Sequence, residues 1–115
     1  MGRFLLIAAV ALSLYAQQPP AAEPERILEQ ALALHQSGDT EGAIRLYREY
    51  LEQRPDSIPA RSNLGAALAR AGRYDEAIVE YNRAIAAGAN SPPIVMNLAL
   101  AYIKSNRIPE AAARP

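Results

Sequence analysis

Apolar residues recur at three- and four-residue spacings along most of this chain, and Gly, Pro or Asn interrupts them where one predicted helix ends and the next begins. The pattern is clearest in the stretch from Asn63 to Ala87. There Leu64, Ala67, Leu68 and Ala71 share one face of a first helix, and Gly65 beside that face leaves room for a neighbouring backbone. Gly72 falls where a helix end needs a left-handed residue, which glycine supplies without a Cβ clash. Tyr74 leads into a second helix whose first turn holds Asp75 and Glu76 against the positive end of the helix dipole. Ala77, Ile78, Tyr81, Ala84 and Ile85 form its apolar face. A link of about three residues forces the two helices antiparallel.

A shift of about 34 residues reproduces this unit in both directions. Forward, Leu64 becomes Leu98, Gly65 becomes Ala99, Leu68 becomes Tyr102, Gly72 becomes Asn106 and Ala77 becomes Ala111. Backward, Leu68 becomes Leu34, Gly72 becomes Gly38, Ala77-Ile78 becomes Ala43-Ile44, and Tyr81 becomes Tyr47. Chance matching of apolar positions does not also match the helix breaker in all three units. The stretch from Pro24 to Pro115 therefore resembles the tetratricopeptide repeat (TPR) family, with Leu64-Gly65, Gly72, Ala77, Tyr81 and Ala84 in the family's pattern. Arg61 stands where the family prefers Trp, Leu68 where it prefers an aromatic, and Ala89 where it prefers Pro. The resemblance implies an all-α, right-handed α-solenoid of antiparallel helix pairs, with about two and two-thirds repeats.

The other units follow by the same rules. Pro24 suits a helix start, with Ile27, Leu28, Ala31, Leu32 and Leu34 as the apolar face up to Gly38. Thr40 is the expected cap of the next helix, whose inward residues are Ala43, Ile44, Tyr47, Tyr50 and Leu51. Pro55 ends that helix, and Ser57 or Asp56 caps the central unit. Ser91 caps the third, with Pro92-Pro93 in its first turn. The expected divisions are repeats over 24–57, 58–91 and 92–115. The last is incomplete, since Ile108-Pro109-Glu110-Ala111 opens a second helix that stops about ten residues short of the period. Either the sequence belongs to a longer protein or a partner covers this end, where Leu98, Tyr102 and Ile103 are expected to be partly uncovered.

Residues 1–16 are of another kind. Arg3 is followed by an apolar run from Phe4 to Leu14 that ends at Gln17-Gln18, too short for a membrane span of about 20 residues. The pattern is that of a signal peptide, cleaved after Ala16 or near Ala11-Leu12-Ser13, and it predicts a periplasmic or secreted product that meets the membrane only during export. Residues 17–23, with Pro19-Pro20, read as an extended linker.

Composition narrows the function. The 12 basic and 12 acidic residues give no positive field to attract nucleic acid, and the absence of cysteine removes disulfides and thiolate metal sites. No phosphate loop, metal-ligand set or catalytic constellation accompanies the lone His35, which is expected to be a solvated residue on the inner surface. No catalytic residue, cofactor, metal or small-molecule substrate is therefore expected, and Asp75-Glu76 reads as a helix-dipole device.

The family resemblance implies a concave groove lined by the first helices of successive units and occupied by a peptide or partner helix. Carried over by position, the peptide-binding residues are Asn63, Ala66, Arg70, Met96, Asn97, Leu100 and Lys104, with Pro59, Ser62, Ala69, Pro93 and Ile103 beside them. Asn63 and Asn97 carry most weight, because a side-chain amide donates and accepts at once and so grips a peptide backbone; the alternative is that both cap local polar groups or face water. The clamp that chaperone-binding members place on a C-terminal carboxylate is not expected, because Leu28, Pro59, Ser62, Pro93 and Met96 occupy its positions. Two functions follow as expectations: an exported scaffold holding a protein partner, or the N-terminal arm of a longer exported enzyme.

Overall fold

The computed structural model describes residues 22–106. The expected signal peptide, most of the linker and the second helix of the third unit lie outside them. Within that range the chain forms five α-helices: α1 (Glu23–Ser37), α2 (Thr40–Gln53), α3 (Ile58–Arg70), α4 (Tyr74–Ala86) and α5 (Pro92–Lys104). Each packs on the helix before and after it in the chain, the order of an all-α solenoid of helical hairpins.

The ends of the first helices are set by local chemistry. Gly72 takes φ 79° and Asn106 takes φ 62°, the left-handed conformation expected at both. After α3, the Gly72 N–H donates to the Ala69 carbonyl at 3.0 Å and the Arg73 N–H to the Leu68 carbonyl at 2.8 Å, satisfying carbonyls that the helix end would orphan. Starts follow the sequence less closely. Asp39, not Thr40, caps α2, its carboxylate accepting from the Gly42 N–H at 3.0 Å, because its short side chain reaches the second turn residue from one position earlier. Ser57 caps α3 through its hydroxyl, whereas Ser91 holds the cap position of α5 without a side-chain bond. Helix α1 begins at Glu23, one residue inside the expected linker.

The core is a continuous seam of small and large apolar residues. Ala31, Ala43, Ala60, Ala67, Ala77 and Ala84 are wholly buried, and their small size brings backbones close around Tyr47, Tyr81 and Tyr102. Gly65 serves a neighbouring ring, not the neighbouring backbone expected from sequence: a Cβ there would lie 2.8 Å from Tyr81 Cε1. Leu98 and Tyr102 also differ from expectation, being buried at 7% and 1% exposure, and Asn82 of α4 reaches the Tyr102 hydroxyl. Ile103 is exposed, as are Val95, Met96 and Leu100 on the same helix.

This register makes Ala77→Leu costly. Ala77 is fully buried while Ala86, on the same helix, is exposed, so Ala77→Leu should lose about 1–3 kcal/mol by overpacking and Ala86→Leu should stay within about 0.5 kcal/mol. Urea midpoints check the difference, and equal shifts would contradict the packing described.

Candidate functional site

Helices α3 and α5 are the first helices of successive pairs, and α4 lies between them in the chain, so the three together form a trough. Its volume is about 390 Å³. Ala66, Ala69 and Arg70 of α3 form one wall, and Asn97, Leu100, Ala101 and Lys104 of α5 the other. Tyr74 and Tyr81 of α4 contribute the floor. Alanines on α3 keep the trough open, while Leu100, 47% exposed, gives the opposite wall an apolar surface.

Five of the seven residues expected to bind a peptide, Ala66, Arg70, Asn97, Leu100 and Lys104, thus line one concavity. Asn63 is half-buried on α3 and Met96 is exposed on α5, both outside it. Of the flanking positions, Ala69 lines the trough, while Pro59, Pro93 and Ile103 are exposed elsewhere along the first helices. The sequence pattern places Tyr81 in the core and assigns neither Tyr74 nor Tyr81 to the groove. An amphipathic Tyr whose ring is buried and whose hydroxyl must find a partner is the signal that points there.

Three core tyrosines end in polar contacts of this kind. Burial raises the pKa of Tyr81, and the Asn97 side chain beside its hydroxyl opposes the rise. The Asn82 amide donates to the Tyr102 hydroxyl at 3.3 Å. His35 Nδ1 lies 3.0 Å from the Tyr47 hydroxyl, with the two rings edge to face at 5.8 Å. His35 is therefore a half-buried partner of a core tyrosine and not the solvated inner-surface residue expected. Asn97 likewise stands beside a core tyrosine, with its exposed amide open to a ligand.

Burial, and then the nearby Arg70 cation, lower the pKa of His35 from 6.5. The folded state thus binds a proton at His35 less readily than the unfolded state, and stability should fall as pH drops through about 6.5 toward the folded pKa. His35→Gln should flatten that part of the profile. Urea titrations of both proteins between about pH 7.5 and pH 5.5 test this, and parallel profiles would contradict it.

The ion pairs among the described residues lie outside this trough. Arg48 meets Glu76 at 2.7 Å, Arg73 meets Glu76 at 2.8 Å and Glu41 at 2.9 Å, and Arg61 meets the buried Glu80 at 2.9 Å. Glu76, expected only to complement a helix dipole, is also the hub that ties α2 to α4, and the hydrogen bond from Arg73 is the main cause that lowers its pKa. By contrast, Arg70 and Lys104 have no carboxylate within ion-pair range among the described residues; Arg70 donates instead to the His35 carbonyl at 3.2 Å.

Antiparallel helix pairs stacked with a shared trough on their first helices define a helical-repeat protein. The family model described as tetratricopeptide repeat matches residues 34–94 and again 68–114, two matches whose starts are 34 residues apart (68 − 34), and the chain belongs to that family. Among solved structures it is similar to that of a MamA point mutant, at 26% identity and a TM-score of 0.74, over 79% of this chain and 66% of that one. It is also similar to a MamA AMB-1 structure at 27% identity and a TM-score of 0.73, over 77% of this chain and 49% of that one. The chain thus spans less than two thirds of either matched chain. No curated protein matches it.

Proposed function

We propose that this protein is an exported scaffold that holds a protein partner in the trough between α3 and α5. Membership of the TPR family supports the coarse part of this reading, since such repeats act as protein–protein interaction scaffolds. The observation that carries the finer part is the convergence of Ala66, Arg70, Asn97, Leu100 and Lys104, from two units, on one open concavity. An extended segment crossing it would place apolar side chains against Leu100 and Ala66 and its backbone beside the Asn97 amide. Export rests on the Arg3-led apolar run of residues 1–16, and the localisation we propose is periplasmic or secreted. The occupant is protein, with no nucleic acid, cofactor or small-molecule substrate, and with membrane contact confined to passage of the signal segment.

A photo-reactive amino acid at Leu100 should capture a partner in the source cells, while the same group at Val79, exposed on α4 and outside the trough, should not. Equal capture from both positions would remove the trough as the binding face. Intact mass of the extracytoplasmic protein should give a mature N-terminus near Gln17 or Leu14. A product retaining Met1 in the cytoplasm would remove the export reading.

A further inference from the structure

The trough carries a chemical preference that its apolar walls alone do not. Six of the eight arginines in the described residues, Arg26, Arg48, Arg54, Arg61, Arg73 and Arg83, have a carboxylate within 3.7 Å, and Arg45, exposed on α2, has none. Arg70 and Lys104 have none among the described residues, and these two cations come from equivalent places in successive units, 34 residues apart (104 − 70), on facing walls of the same concavity. No acidic side chain among the described residues lines it. Two unneutralised cations on opposite walls of a trough floored by tyrosine rings repel basic segments and attract acidic ones.

We propose that the trough selects an extended segment of a partner protein bearing an internal Asp or Glu side chain, seated between Arg70 and Lys104, with an apolar neighbour against Leu100. This rests on the binding reading above and names the chemistry of its ligand. An internal acidic residue, not a chain-terminal carboxylate, fits the site because Asn97 stands on the same wall, one helical turn before Leu100 and two before Lys104. A backbone held there continues past the cation pair in both directions. Arg70 is already fixed by its bond to the His35 carbonyl, so its guanidinium presents the remaining N–H groups to a carboxylate with little further ordering.

Selection from a displayed library of random peptides, each fused at both ends so that no free terminus is presented, tests this with the full chain as bait. Enriched peptides should carry Asp or Glu next to an apolar residue. Replacing that acid by its amide should weaken binding about tenfold, with binding that falls as salt rises. The doubly charge-reversed chain, Arg70→Glu with Lys104→Glu, should select Lys- or Arg-bearing peptides instead. Both sites are exposed, so unchanged far-UV circular dichroism shows that the variant remains folded. Enriched peptides without an acidic preference, displaced by Leu100→Lys, would overturn this inference and leave the binding reading standing. Peptides insensitive to Leu100→Lys, or no enriched peptide at all, would overturn both. If the wild-type chain sediments as a dimer and the charge-reversed chain as a monomer, the occupant is a second copy and the proposal fails.

Discussion

Tyr81→Ala should destabilise the protein by about 3–5 kcal/mol, the range for removing a buried aromatic ring and leaving its space behind. Tyr81 is 2% exposed and touches three helices: it belongs to α4, its ring lies against Gly65 of α3, and its hydroxyl lies beside Asn97 of α5. A loss of that size is comparable to the whole stability of many small domains, so the variant is expected to be largely unfolded without added osmolyte. Two milder changes separate the causes. Tyr81→Phe keeps the ring and should cost no more than about 1 kcal/mol, for the hydroxyl beside Asn97. Gly65→Ala keeps Tyr81 but puts a methyl 2.8 Å from the ring edge, and should cost about 1–3 kcal/mol. Urea unfolding followed by circular dichroism ranks the three. A Gly65→Ala variant as stable as the wild type would contradict the close ring-to-helix approach.

Arg61→Met should cost about 2–4 kcal/mol, because it strands a buried charge. The Arg61 side chain is 17% exposed and that of Glu80 6%. One guanidinium nitrogen reaches Glu80 at 2.9 Å and the other the Pro55 carbonyl at 2.9 Å, so one residue ties α3 both to α4 and to the turn after α2. Arg83 remains 3.2 Å from the other Glu80 oxygen, but its side chain is 62% exposed and screened by water, so it offsets only part of the loss. Removing both partners, Arg61→Met with Glu80→Leu, should recover most of the stability, since two apolar side chains leave no unpaired charge. A double variant no more stable than Arg61→Met would show that the stranded Glu80 charge is not the cause of the loss.

These two residues also mark what could be read from sequence. Helix ends were legible at Gly38, Gly72 and Asn106, because a left-handed residue after an apolar run is a local requirement that does not wait for tertiary structure. The buried faces of α2, α3 and α4 were legible for a similar reason: a three- and four-residue spacing admits one inward side. Arg61 was not. In the family pattern it registers as a missing Trp, and only the packed pair shows it reaching across 19 residues of sequence (80 − 61) to Glu80. The approach of Asn97 to the Tyr81 hydroxyl is equally invisible, since it depends on how α5 is offset along α4 and no local rule fixes that offset. The burial of Leu98 and Tyr102 belongs with it. The family register does carry Ala66, Arg70, Asn97, Leu100 and Lys104 into one concavity, while Asn63 and Met96, earlier on the same two helices, lie outside it.

The central claim is that a protein segment lies across the first helices. Amide hydrogen exchange on the full chain, free and with a bound peptide or captured partner, tests it most directly. Protection on binding should concentrate in α3 around residues 66–70 and in α5 around residues 97–104, with the outer arginine–glutamate network of α2 and α4 unchanged. Protection centred on Arg48, Glu76 and Val79 instead, with α3 and α5 exchanging as in the free chain, would place the partner on another face and contradict the account.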